Sequence, residues 1–166
     1  MKRAKSKHKS NERLTQASKA LKQGDYDKAE SLLKVELRSN VQPIALKMYG
    51  VTLARKQQYS TALTIFERLV RLTPKDAEAV YNLGVLHEKL GSLTQALSCY
   101  SESLNLSPDY TDALNNYALI KEKMGDLSEA KKIFGQMTAV KKDYRALYNL
   151  ARIQHQSEDF LRAAAS

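Results

Sequence analysis

Residues 77–110 read AEAVYNLGVLHEKLGSLTQALSCYSESLNLSPDY, and this stretch sets the register for the rest of the chain. Val80, Leu83, Gly84 and His87 fall at i, i+3, i+4 and i+7, one stripe of a first helix. Leu93, Ala96, Leu97 and Tyr100 repeat that spacing as a second helix. Between them stands Gly91-Ser92, a glycine for the left-handed conformation that ends a helix and a serine to cap the next. Pro108 closes the second helix, because the residue before a proline is driven out of the helical region.

The same unit recurs on both sides. Ala96 belongs to the series Ala29, Ala62, Ala96, Ala130 and Ala163, spaced 33, 34, 34 and 33 apart. Twelve residues before each lies another small residue: Ala17, Gly50, Gly84, Ala118 and Ala151. Gly24, Gly91 and Gly125 each precede a register alanine by five, and Pro74 lies 34 before Pro108. Numbering a 34-residue unit so that the small residue is position 8 and the alanine position 20 divides the chain into 10–42, 43–76, 77–110, 111–143 and an incomplete 144–166. Gly or Ala at positions 8 and 20 lets the axes of paired helices approach closely. A bulky side chain there typically costs ~1–3 kcal/mol through overpacking.

Leu83-Gly84, Ala96, Tyr100 and Pro108, with Tyr49-Gly50, Leu53, Ala62, Phe66 and Pro74, resemble the signature of the tetratricopeptide repeat (TPR) family. The resemblance covers residues 10–166. It implies an all-α fold, a right-handed α-solenoid of stacked helix-turn-helix hairpins with about four and a half repeats. The signature tryptophan is absent, Lys121 occupies an otherwise apolar position, and Glu36 breaks the end of the first unit, which predicts loose packing there. In the fifth unit the pattern predicts a full first helix, 144–157, and only the start of a second, Phe160 to Ser166. Leu147, Leu150 and Ala151 are then only partly covered. Such an open end fits either a fragment of a longer protein or self-association through that end.

Composition narrows the function. The chain is 43% hydrophobic and 27% charged, enough apolar content to fold. One cysteine excludes an internal disulfide framework and a cysteine-based metal site. No run approaches 18 apolar residues, so a soluble protein of a reducing compartment, cytoplasmic, is expected. Of the net charge of +9, +5 sits in residues 1–13, where Lys2, Arg3, Lys5, Lys7, Lys9 and Arg13 face only Glu12. Residues 1–9 read as a basic flexible tail, without the apolar run of a signal peptide. They also lack aromatic residues to stack on bases, which disfavours nucleic acid as a partner. There is no phosphate loop, HExxH or GxSxG, and the three histidines are scattered. His87 reads as a hydrogen-bonded core imidazole and Cys99 as a packed thiol. No catalytic residue, cofactor or metal ligand is expected.

What remains is binding. In the TPR family the first helices line a concave surface, and the helical period puts positions 2, 5, 6, 9, 12 and 13 on that side. Position 6 is Asn82, Asn116 and Asn149 in the last three units. An asparagine amide both donates and accepts, so a row of them can hold a peptide backbone regardless of its side chains. The column is similar to the asparagine ladder of repeats that precede O-linked N-acetylglucosamine transferase domains, as is the junction Pro108-Asp109-Tyr110. Lys47, Tyr81, Lys123, Tyr148 and Arg152 complete the candidate peptide-binding set. A carboxylate clamp of the chaperone-binding type is not expected. Lys47 and Asn82 match it, but Val51, Asp112 and Asn116 do not. The expected function is a non-catalytic scaffold that binds a peptide or partner protein in its groove. The alternative is the substrate-presenting region of a larger glycosyltransferase- or sulfotransferase-type enzyme.

Overall fold

Each of the 33–34-residue units resolves into helices whose boundaries follow the turn residues. The computed structural model describes the backbone of residues 2–141 and 143–164, and the side chains of residues 8–139 and 143–155. Among these residues the chain forms nine helices and no strand: α1 (Lys2–Lys22), α2 (Tyr26–Ser39), α3 (Pro43–Arg55), α4 (Tyr59–Leu72), α5 (Ala77–Lys89), α6 (Leu93–Leu106), α7 (Thr111–Lys123), α8 (Leu127–Lys141) and α9 (Tyr144–Ala164). Helix α1 takes in residues 2–9, which the charge pattern had set apart as a tail. Alanine and lysine among them are good helix formers and nothing there breaks a helix.

Turns inside the hairpins behave as their sequences dictate. Gly24, Gly91 and Gly125 adopt φ of 76°, 80° and 87°, the left-handed region open to glycine. The second hairpin has no glycine there, and Gln57 takes the same conformation at φ 60°. Aspartates cap helices both within and between hairpins. Asp25 accepts from the backbone N–H of Lys28, and Asp76 from that of Ala79.

The chain divides into two compact units, one ending at Cys99 and one beginning at Tyr100. In the first, Leu46 and Leu53 of α3, Ala62, Phe66 and Leu69 of α4, and Ala79 and Leu86 of α5 form one core. Ala17, Leu33 and Ala45 join α1, α2 and α3 in a second. Gly50 lies so close to Phe66 that a Cβ added to it would stand 2.5 Å from the ring. In the second unit Ala118, Ala130, Ile133, Phe134, Met137, Ala146 and Ile153 pack α7, α8 and α9 together.

A further buried stripe accompanies the expected one. Position 3 is Ala45, Ala79, Ala113 and Ala146, and position 10 is Thr52, Leu86, Ile120 and Ile153, all essentially inaccessible. In the two cores these side chains meet the helix of the preceding hairpin: Ala79 and Leu86 pack with α4, Ala146 and Ile153 with α8. Helices α5 and α9 are thus each buried toward the hairpin before them.

Three expectations are corrected. Glu36 does not loosen the first hairpin. It is fully buried, and its carboxylate accepts from the Ser10 hydroxyl and, at 2.8 Å, from Arg13 Nη1, while Gln42 Nε2 donates to Ser10 at 3.0 Å. A buried carboxylate so satisfied fastens α1 to α2 rather than prising them apart. The fifth unit does not break after residue 157. Helix α9 continues to Ala164, because Gln156-Ser157-Glu158-Asp159 holds no glycine to take the left-handed turn; residues 165 and 166 lie outside the described residues. Among the described residues no second helix follows α9, which leaves Leu147 54% exposed and Ala151 exposed too, while Leu150 is half-buried. His87 is half-buried rather than a core imidazole, and Cys99 is half-buried and forms no disulfide.

Candidate functional site

Positions 1, 2, 5 and 6 of the last two first helices converge in the unit that begins at Tyr100. Asn115, Tyr144, Arg145, Tyr148 and Asn149 line an open cavity of about 460 Å³. Its amides form a chain: Asn149 Nδ2 donates to Asn115 Oδ1 at 3.3 Å, and Asn115 Nδ2 donates to Asn116 Oδ1 at 3.3 Å. Asn116 Nδ2 in turn donates to the hydroxyl of the buried Tyr100 at 3.4 Å. Fixing the amides this way sets which edge each turns outward. Above them Tyr144 and Tyr148 are 83% and 69% exposed, an unusual outlay of aromatic surface.

The two arginines of this face each meet an acid about one repeat away. Arg152 makes a two-pronged pair with Glu122, 2.6 Å on each prong, which holds the guanidinium still more firmly protonated than usual. Arg145 reaches Asp112 and Asp143, both at 3.2 Å, and the Arg145 guanidinium holds the Asp143 carboxyl below its ordinary range. Lys123 is exposed and lines a smaller hollow of about 330 Å³ with Leu119, Glu122, Leu127 and Arg152. Five of the expected residues, Asn116, Lys123, Tyr148, Asn149 and Arg152, therefore belong to α7 and α9 of one unit.

Lys47, Tyr81 and Asn82 belong to the other unit, and their surroundings are different. Lys47 Nζ pairs with Asp76 at 3.0 Å and Glu78 at 2.9 Å, tying α3 to the start of α5. Partial burial works against the charged amine, but the Glu78 and Asp76 hydrogen bonds outweigh it and raise the Lys47 pKa. Asn82 Nδ2 donates to the Glu78 carbonyl of its own helix at 2.8 Å. Tyr81 is half-buried. Asn82 thus bonds within its own helix, and Asn116 and Asn149 take part in the amide chain of the other unit. Sequence reasoning passed over Tyr144, which occupies position 1, and did not commit to Asn115 and Arg145. The signal was present in the paired spacings Asp112–Arg145, Glu122–Arg152 and Lys47–Glu78, each close to one repeat.

Lys121, the charged residue at an apolar position, also finds a resolution. Its Nζ lies 5.8 Å from the Tyr117 ring centroid and 3.2 Å from Asp126 Oδ2, so the stem stays in the hairpin and the charge leaves it. Among the described residues no three His, Cys, Asp or Glu side chains cluster as a metal site, and no helix is long and apolar enough to cross a membrane.

Comparison with known proteins agrees with this architecture. Tetratricopeptide repeat profiles match residues 14–76, 50–111 and 111–143. No curated protein matches the sequence. Among solved structures, MamA 41-end from Desulfovibrio magneticus RS-1 is similar, at 20% identity and TM-score 0.81, over 95% of this chain and 90% of that one. TTC0263, a thermophilic TPR protein of Thermus thermophilus, is 22% identical with TM-score 0.73, over 89% and 82%. YrrB, described as a TPR protein with an unusual peptide-binding site, is 20% identical with TM-score 0.71, over 86% and 71%. At these identities the likeness speaks for the fold, an all-α helical repeat solenoid. The profiles span more than half of the sequence, and the chain belongs to the tetratricopeptide repeat family.

Proposed function

We propose that this protein is a non-catalytic interaction module that holds an extended peptide segment of a partner on the α7–α9 face. The observation that carries the reading is the pair Tyr144 and Tyr148, more than two-thirds exposed, standing over the chained amides of Asn115, Asn116 and Asn149. Tyrosine supplies large contact area with little conformational freedom to lose, and an amide row pairs with both polar groups of a peptide backbone. YrrB, a similar fold, is described by its peptide-binding site, which agrees with this use of the scaffold.

Because Arg145 and Arg152 are already paired with acids, the pocket recognises by shape, stacking and backbone hydrogen bonds more than by charge. Binding on this face should therefore depend little on salt. The test is selection of a displayed random-peptide library against the wild-type chain, followed by anisotropy titration of the winners. Tyr148→Ala and Asn149→Ala are each expected to weaken binding at least tenfold, the scale of an interface hot spot. Winners that bind both variants as well as wild type would remove the site.

A further inference from the structure

The unit ending at Cys99 carries a surface of the opposite character. Leu14 of α1 and Ile44 and Met48 of α3 line an open trough of about 470 Å³, with Lys19 and Lys22 also on its wall. Ile44 is 55% exposed, so this apolar lining is wet. Arg55 stands on the same face of α3 as Ile44 and Met48, eleven and seven residues further on, and ends the helix as Lys22 ends α1. All three cations are exposed. Among the described residues none of them makes an ion pair, whereas Lys47 and Lys56 of the same unit are each held by two carboxylates.

A cation in the last turn has an ordinary reason, since it offsets the negative end of the helix dipole. That reason does not account for the apolar trough beside Lys19 and Lys22. Leu14, Ser18 and Lys22 follow one another at four-residue steps along α1, about 12 Å of helix, and Ile44 and Met48 do the same on α3. The trough thus runs along the helix axes for roughly two turns, the length of an i, i+4, i+7 set of anchors on a docked helix. Methionine beside branched side chains adapts to such a guest.

We propose that this trough docks an acidic amphipathic helix of a partner protein. Its apolar side covers Leu14, Ile44 and Met48, and its carboxylates meet Lys19, Lys22 and Arg55. The charge complementarity selects an acidic partner, and the aliphatic lining selects a protein over a nucleic acid, which has no apolar side chains to offer it. The recessed shape suits a helix better than a flat bilayer. The proposal is independent of the tyrosine pocket, which lies in the other unit.

The test uses the full chain and a short fluorescent helix with leucine on one face and glutamate on the other, read by anisotropy. The comparison peptide carries lysine for glutamate. Wild type is expected to favour the acidic peptide at least tenfold at low salt, with the preference shrinking as salt rises. The double variant Lys19→Glu with Lys22→Glu is expected to reverse the preference while the helical circular-dichroism spectrum is retained at the titration temperature, the melt falling only by the loss of the helix-dipole contribution. The Met48 methyl resonance should shift on titration in wild type and equally in Tyr148→Ala, which separates this site from the peptide pocket. Equal affinity for both peptides, an unmoved Met48 methyl, or tighter Lys22-dependent binding to phosphatidylserine vesicles or duplex DNA would overturn the proposal.

Discussion

The second hairpin, α3–α4, and the fourth, α7–α8, solve one packing problem in two ways. In each a phenylalanine at position 24, Phe66 or Phe134, is essentially inaccessible and faces a small residue at position 8. In the second hairpin that residue is Gly50, and the ring fills the space where a Cβ would stand. In the fourth it is Ala118, packed in the same core as Phe134 with a Cβ of its own. The turns are reversed in quality. Gln57 is forced to φ 60° in the second hairpin, while Gly125 takes φ 87° freely in the fourth. The small residue is therefore demanded by the position of the ring opposite and not by the repeat as such, and a hairpin tolerates a strained turn where its interior is tight.

Gly50→Ala gives the largest expected effect. Helix propensity favours alanine by about 1 kcal/mol, but a methyl inside the Phe66 ring forces that ring off its rotamer against a full core. Net destabilisation of roughly 1–2 kcal/mol is expected by urea unfolding. Adding Phe66→Leu should make the pair strongly non-additive, because the smaller side chain yields the space. The reverse change, Ala118→Gly, meets no clash and should cost about 1 kcal/mol through propensity and about as much again for the buried methyl it removes. If Gly50→Ala proved neutral, the contrast between the hairpins would fail.

Exchanging the turn residues comes next. Gly125→Gln places a side chain in the left-handed region and should lower stability by about 1 kcal/mol. Gln57→Gly relieves the same strain and should raise stability by about 0.5–1 kcal/mol, the glycine's greater freedom when unfolded taking back part of the gain. Thermal melts of both variants measure the pair. Equal and opposite shifts would mean that the two turns carry the same strain and differ only in residue.

Much of this was legible in the sequence, for a physical reason. Positions 8 and 20 and the turn glycines report contacts made inside one hairpin, so a single period exposes them. The stripe at positions 3 and 10 was not read, because Ala79 or Ile153 acquires its meaning only from the helix one hairpin earlier. The same holds for the site. Asn116, Tyr148 and Asn149 could be placed on one face from helical period alone, yet whether Lys47 and Arg152 remain available depended on Glu78 and Glu122, acids a repeat away. Helix α9 was misjudged because the repeat template imposed a turn that residues 156–159 do not encode.

A smaller effect sets Gly50 against another glycine inside a helix. Gly135 of α8 has no atom within 4 Å of where a Cβ would stand, unlike Gly50. Gly135→Ala should therefore stabilise by about 0.5–1 kcal/mol, and the opposite signs of two identical substitutions can be read in one set of urea curves.

The least effect, and the most selective, is on pH. Asp126 opens α8 by accepting from the Glu129 N–H at 3.3 Å and pairing with Lys121 at 3.2 Å, and these two contacts, the backbone one first, hold its carboxyl below the ordinary 3.8. At the same position the second hairpin has Gln58, which makes no side-chain cap. A lowered carboxylate pKa contributes stability that is complete above the ordinary value and is lost as pH falls through the lowered one. As pH falls through and below the ordinary carboxylate range, the amides of the first turn of α8 should therefore lose exchange protection while those of α4 hold theirs. Asp126→Asn keeps an acceptor for the Glu129 N–H and removes the titration, so its α8 amides should follow a flat profile over that range. A parallel loss at the starts of both helices would assign the acid sensitivity to the whole unit and not to this cap.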